Sequence, residues 1–217
     1  MDRDVWRSNK TQLLYWAVFF AVAFSMTSFV ISVIRLAERE SNAFEASNTY
    51  NTLGSKKLMR HVILDTSIGK IEISLDRLNA PTTVNNFVSF VQEGYYDNTR
   101  FHKVIPGEVI GGGDPLSRES NKSLWGTGGP GFVFEDELQD EPNRYGDIVM
   151  DNHGYANTNG SQFLIILAST TSAYRGYTLF GHVVKGMDVV EKISSVPLDG
   201  EGHPLASPTL KSAFMKP

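Results

Sequence analysis

The sequence predicts a mainly β domain, an antiparallel barrel or sandwich with two short helices, preceded by one transmembrane helix. Three observations carry this. A single uncharged apolar run lies near the start of the chain, at Leu13–Ile34. Beyond residue 60, short apolar runs separated by Gly, Asn and Asp recur to the end. Only two stretches there have helical spacing, and strands and helices do not alternate as the crossovers of a parallel sheet require.

The apolar run reads LLYWAVFFAVAFSMTSFVISVI. As a helix it would be about 33 Å long, enough for a hydrocarbon core of roughly 30 Å. Tyr15 and Trp16 stand near one end, where amphipathic rings favour the interface. A cleaved signal peptide is the rival reading, with Arg3, Arg7 and Lys10 in front and Ala21-Val22-Ala23 as the cleavage site. The run continues to Ile34, which suits an uncleaved anchor. Basic residues before the span outweigh Arg35 and Arg39 after it. The expected layout is a cytoplasmic segment 1–12, a signal anchor 13–34, a linker 35–59 and an extracytoplasmic domain 60–217 at a bacterial cell membrane. Residues 41–59 are rich in Ser, Asn and Thr without a period, as a flexible linker is.

Within the domain, Val62–Thr66 and Lys70–Leu75 read as two strands joined by Ser67-Ile68-Gly69, with Ile71, Ile73 and Leu75 alternating with polar neighbours. A helix follows: Pro81 suits its first turn, Val84, Phe87, Val88 and Val91 fall on one face, and Gly94 stops it. Further strands are expected at Val104-Ile105, Val109-Ile110, Phe132–Phe134, Ile148–Met150, Phe163–Leu167 and Leu179–Val184. A second helix is expected over Met187–Ile193.

Composition narrows the chemistry. Of the 217 residues 41% are hydrophobic and 20% charged, enough for a real core. The net charge of −4 offers no basic face for nucleic acid, and the absence of cysteine removes disulfides and thiolate chemistry. The five histidines show no zinc spacing, so no metal is expected. The glycine clusters at 111–113 and 126–131 lack the Lys-Ser/Thr of a phosphate loop and read as tight turns and bulges. Glu135, Asp136, Glu137, Asp140 and Glu141 lack the spacing of a calcium loop and read as a solvated acidic stretch. There is no G-x-S-x-G and no H-E-x-x-H. Two segments remain, FHKVIPGEVIGGGD at 101–114 and NHGYANTNGSQFLIILA at 152–168, both combining aromatics and a base with glycine, the second with several amides as well.

In order, FHKVIPG, GGGDP, GTGGPGFVFEDE, NTNGSQF and FGHVVKGMDVV resemble the cyclophilin family of peptidyl-prolyl cis–trans isomerases, over about Arg60 to Ser195. The DPLSRES…WGTGGPG stretch is most similar to bacterial members. The resemblance implies a closed eight-stranded antiparallel barrel capped by two helices, acting without cofactor, as a monomer, on proline-containing polypeptide clients. The lipid bilayer, through residues 13–34, would be the other partner. In the family an arginine after Phe-His donates to the prolyl amide, while a glutamine and an asparagine backbone hold the peptide. Here Phe101, His102, Asn152 and Gln162 match those positions, and Lys103 stands in the arginine's place. The resemblance thus assigns Lys103, Gln162, Asn152 and Tyr177 to catalysis. It assigns Phe101, His102, Glu108, Val109, Gly111, Leu164 and Tyr174 to substrate binding.

Several of these depart from the family. Glu108-Val109 replace the usual Phe-Met, Gly111 a glutamine, and Leu164 a phenylalanine, while Ser172-Ala173-Tyr174 and Tyr177 occupy the loop that usually carries Trp-Leu and His. Lysine keeps the charge but loses the planar fork. One lost charge-assisted bond is worth about 1.5–3 kcal/mol, about ten- to a hundredfold in rate. Glu108 would either be desolvated or pair with Lys103. The expected function is prolyl isomerisation on exported or membrane-proximal proteins with reduced activity. The alternative is a membrane-tethered proline-binding module with little turnover.

Overall fold

The computed structural model describes Ile34 and residues 60–140, 143–168, 170–171 (backbone only), 173–200 and 202–217. Apart from Ile34, the predicted anchor 13–34 and linker 35–59 lie outside the described residues, as does Ser172. Among the described residues no helix is long and apolar enough to cross a membrane.

Eleven strand segments and two α-helices follow one another among the described residues. The first two strands are β1 (Arg60–Thr66) and β2 (Lys70–Leu75), and helix α1 (Pro81–Gln92) comes next. Short strands β3 (Thr99–Arg100), β4 (Lys103–Ile105) and β5 (Val109–Gly112) lead into two 3-10 turns, Pro115–Arg118 and Lys122–Leu124. Then come β6 (Asn143–Arg144), β7 (Asp147–Met150), β8 (Phe163–Ile166), β9 (Thr170–Thr171) and β10 (Leu179–Lys185). Helix α2 (Met187–Ser194) and β11 (Thr209–Met215) complete the order.

Nine segments form one sheet, ordered β3-β11-β1-β2-β10-β7-β8-β5-β4, and every ladder is antiparallel. Its two outermost members, β3 and β4, are consecutive in the chain and separated only by Phe101 and His102. At that point the chain changes neighbours: the Phe101 N–H donates to Pro208 O at 2.9 Å and the His102 N–H to Gly111 O at 3.1 Å. Residues 99–105 are therefore one run paired first with β11 and then with β5. Eight chain runs make the sheet and nine ladder segments are recorded, because this run is broken where it switches partner.

The barrel interior holds Val62, Leu64, Ile71, Ile73, Phe101, Ile110, Ile148, Met150, Phe163 and Ile165. Helix α1 sends Phe87 against Tyr96, Phe163 and Phe180, with ring centroids 5.1, 5.9 and 5.0 Å away. Helix α2 packs at the β1–β2 and β4–β5 turns: a Cβ on Gly69 would lie 2.8 Å from Val189 Cγ2, and Ser194 Oγ accepts from the Gly107 N–H at 3.1 Å. Gly186, ahead of α2, has φ 89° and lies so close to Lys70 that a Cβ would stand 2.3 Å from its carbonyl oxygen. Only glycine fits there.

Three expectations need correction. Phe132–Phe134 is not a strand: Phe134 makes one bridge, to Asn159, and Phe132 and Val133 are exposed. Gly111 and Gly112 lie inside β5 rather than in a turn, because neighbouring side chains crowd the space a Cβ would take. The acidic stretch is in part structural. Asp136 accepts from the Asn157 N–H at 2.7 Å and from Asn159 Nδ2 at 2.9 Å. Glu137 accepts from the Thr82 and Thr83 N–H groups at 3.0 and 2.9 Å. Ala80, at the helix start, offers α1 no side-chain cap, so Glu137 supplies one from a distant loop.

Burial pushes the Glu137 carboxyl up, but the hydrogen bonds from Thr83 and Thr82 outweigh it and hold the group below its ordinary value. A depressed carboxyl stabilises the fold above its unfolded-state pKa and loses that contribution as pH falls through the folded-state value. Glu137→Ala is expected to lose about 1 kcal/mol at neutral pH. Denaturant unfolding should show the gap from wild type narrowing as the pH is lowered through the carboxylate range.

Candidate functional site

The four strands β4, β5, β8 and β7 place side chains on both faces of the sheet. Val104, Ile110, Ile165 and Ile148 point into the barrel. Their neighbours point outward, and the registers Lys103↔Gly111, Gly111↔Leu164 and Leu164↔Val149 set four of them in one row across the outer face. One step further along, the Asp151 N–H donates to Gln162 O at 2.9 Å, which continues the β7–β8 ladder and brings Asp151 beside Gln162.

Lys103 is the cation of this face. Its Nζ lies 3.1 Å from Asp151 Oδ2, with 38% of the lysine side chain exposed but only 2% of the aspartate's. The other carboxylate oxygen, Oδ1, accepts from the His153 N–H at 3.0 Å. Gly111 makes room for the lysine stem: a Cβ there would stand 2.9 Å from Leu164 Cδ2 and 3.0 Å from Lys103 Cβ.

Gln162 is buried, and its Nε2 donates to Gly126 O at 3.0 Å and Gly128 O at 2.8 Å. Carbonyls only accept, so the nitrogen must face that loop and the oxygen must face away. Oε1 is buried with no partner among the described residues. His102 is buried beside this loop; burial pushes its imidazole below the ordinary value, against the pull of the Asp114 carboxylate. Asp114 anchors the loop by accepting from the Leu116 N–H at 2.8 Å and from the Gly126 N–H.

Two clefts meet at these residues. The larger, about 690 Å³, runs between the 127–133 loop and the 151–162 segment, with Phe132, Val133 and Tyr155 in its lining. The smaller, about 400 Å³, is lined by His102, Lys103, Trp125, Gly126 and His203, among others. Asp151, His153 and Gln162 line both. The shared wall offers a buried carboxylate and a buried amide, and Lys103 adds an ammonium from the smaller cleft, a set of convergent polar groups that suits a peptide backbone.

Not every expected residue joins this wall. Phe101 lies wholly inside the barrel core. The Asn152 side chain donates to Gly176 O at 2.7 Å and accepts from the Gly154 N–H at 3.1 Å, and its backbone carbonyl accepts from Thr158 Oγ1 at 2.8 Å, so the residue pins the 152–158 loop. Val109, Leu164 and Tyr174 pack with Val149 and Ile166 into a second, outer cluster, with Tyr177 against it. The Tyr174 and Tyr177 rings are 5.3 Å apart. Glu108 does not reach Lys103; Tyr174 Oη donates to it at 2.9 Å. Burial pushes the Tyr174 phenol well above its ordinary value, and the Glu108 carboxylate adds to the shift, so the tyrosine stays a donor. Among the described residues no group of three His, Asp or Glu side chains is placed to hold a metal ion.

Sequence reasoning missed Asp151, Trp125 and the Phe132–Val133 lip of the larger cleft, while His153 and Tyr155 fall inside the 152–168 segment it singled out. Asp151 immediately precedes the segment singled out, and its importance depends on a ladder step that spacing alone does not reveal.

Residues 61–214 match the family model described as cyclophilin type peptidyl-prolyl cis-trans isomerase/CLD. The peptidyl-prolyl cis-trans isomerase ppi1 of Schizosaccharomyces pombe is 40% identical over 149 residues, 68% of this chain and 93% of the relative. The peptidyl-prolyl cis-trans isomerase CYP71 of Arabidopsis thaliana is 41% identical over 150 residues, and there the match spans 68% of this chain but 23% of the larger protein. A crystal structure of a cyclophilin-type isomerase of Cryptosporidium parvum superposes with a TM-score of 0.66 at 30% identity, covering 73% of this chain and 98% of that one. A second structure of that protein, obtained in the presence of the dipeptide Ala-Pro, gives 0.65. These relatives come from plants, fungi and a protozoan, and they lend no support to the bacterial likeness expected from the sequence.

Gly111→Ala should press on Leu164 and the Lys103 stem together. The expected loss is about 1–3 kcal/mol of stability, as in overpacked cores. Denaturant titration measures it, and a Gly111→Ala protein as stable as wild type would show that the row has slack.

Proposed function

The chain belongs to the cyclophilin-type peptidyl-prolyl cis–trans isomerases and is an enzyme of that class, and on this premise we propose how its own residues work and where it acts. Rotation of a peptide bond faces a barrier of about 18–20 kcal/mol because amide resonance must be broken. An Xaa–Pro bond has nearly balanced isomers that exchange over tens of seconds or more. No covalent bond has to be made. The site must favour the twisted amide over both planar forms.

The observation that carries the assignment is the convergence of Lys103 and Gln162 on the smaller cleft. As the amide twists, its nitrogen regains a lone pair and its carbonyl turns out of plane. The Lys103 ammonium donates to this developing charge. Gln162, whose Nε2 donates to the Gly126 and Gly128 carbonyls, fixes the loop along which the client chain is held in register. Asn152 keeps the 152–158 loop in place, and His102, neutral because it is buried, lines the wall without a competing charge. Val109 and Leu164 have no exposed surface, so they support Tyr177 and the lysine stem from beneath rather than touch the proline ring.

The reading extends to the cell. An uncharged run long enough to span a bilayer, followed by a polar linker, supports a domain tethered at a membrane and serving exported or membrane-proximal clients. Activity is reduced relative to an arginine-bearing site, because an ammonium offers no planar fork. A second reading, a proline-binding module with little turnover, draws on one observation: the Lys103 charge is already paired with Asp151.

Two-dimensional NMR exchange on an Ala-Xaa-Pro-Xaa peptide with the full chain separates the two. Catalysed exchange is expected, lowered about ten- to a hundredfold by Lys103→Ala, and maintained or raised by Lys103→Arg. Peptide binding without exchange would favour the second reading. Undiminished exchange in Lys103→Ala would remove the lysine from the mechanism.

A further inference from the structure

We propose that Asp151 is a positioning residue of the isomerase site: its buried carboxylate fixes the direction of the Lys103 ammonium at the wall between the two clefts. The proposal rests on the reading of Lys103 as the cation that polarises the prolyl amide.

A lysine ammonium is a compact charge on a flexible four-carbon stem, and by itself it has no preferred direction. Here both ends of the stem are held. Near the backbone, Lys103 Cβ and Cδ would stand 3.0 and 3.4 Å from a Cβ on Gly111, so the stem lies flat across a glycine. At the head, Nζ meets Asp151 Oδ2 at 3.1 Å. The carboxylate makes a rigid post, because only 2% of its side chain is exposed and its second oxygen is tied to the His153 N–H at 3.0 Å.

The pairing is strongly favoured from the aspartate's side, since a buried carboxylate stripped of its counter-charge is costly. It does not use up the lysine. An ammonium has three donors and the pair occupies one, which leaves two for the carbonyl and nitrogen of a twisting amide. The lysine thereby gains a fixed orientation in place of the planar fork it lacks, and a preorganised donor stabilises developing charge without reorganising. Asp151 lines both clefts and Lys103 the smaller, so the donor is held in the smaller cleft at its boundary with the larger.

The test is steady-state NMR exchange on a prolyl peptide with the full chain bearing Asp151→Asn, Asp151→Ala, Lys103→Ala, and Lys103→Ala with Asp151→Ala. Asp151→Asn keeps the shape and the acceptor for the His153 N–H, and thermal unfolding with an amide spectrum establishes that each variant is folded. The expected result is a kcat lowered about tenfold in both Asp151 variants with KM within about threefold, the loss of one directed charge-assisted bond. In the Lys103→Ala background, removing Asp151 should cost nothing further. A merely structural aspartate would lower the rate by the same factor in both backgrounds, and that result overturns the proposal. A rate that is unchanged or raised by Asp151→Asn also overturns it, the latter marking the carboxylate as a brake. If Lys103→Ala alone leaves the rate intact, the reading of Lys103 itself falls, and this proposal falls with it.

Discussion

The register of four short strands is the constraint on which the rest depends. Side chains alternate across a sheet, so β4, β5, β8 and β7 must pair as they do for Val104, Ile110, Ile165 and Ile148 to enter the core. The same pairing then sets Lys103, Gly111, Leu164 and Val149 side by side on the other face. A slip of one residue would exchange the two sets, burying the lysine and exposing the core. Barrel stability and placement of the candidate catalytic cation are thus one fact. The seam at Phe101 and His102 serves the same end, since the chain there leaves β11 for β5 just before it delivers Lys103.

The loops hold a second layer of the site. Asp114 fixes Gly126, Gln162 fixes Gly126 and Gly128, and Asn152 fixes the loop that ends at Thr158. Each is a buried polar group satisfied mainly by backbone, the economical way to hold an irregular segment. What remains unsatisfied is informative: the Gln162 amide oxygen is the buried acceptor that this network leaves over at the wall of both clefts.

Much of this was legible in the sequence. The alternation of Ile71, Ile73 and Leu75 and the helical spacing of Val84, Phe87, Val88 and Val91 gave elements close to those observed. Strand β11 escaped notice because a bulge puts one extra residue between Leu210 and Ser212, so Leu210 and Ala213 both face inward three positions apart and the two-residue period is lost. Phe132 and Val133 looked like strand residues because they are apolar, yet they line a cleft mouth, where apolar side chains stay exposed. The resemblance located Lys103 and Gln162, but no spacing could show that Asp151 would supply the lysine's partner or that Glu108 would turn to Tyr174. Such partners depend on contacts between strands far apart in the chain.

On the proposed reading, prolyl peptides bind in the smaller cleft at the wall it shares with the larger, where Asp151 and Gln162 meet Lys103. Amide chemical-shift mapping of the isotopically labelled full chain with an Ala-Pro peptide addresses it most directly. Perturbations are expected to concentrate at residues 102–103, 126–133 and 151–162, with little change on β1, β2 and β11. Perturbations centred on another surface, such as the cleft lined by Arg100, Lys122 and Ser207, would contradict it, as would an unshifted spectrum at saturating peptide.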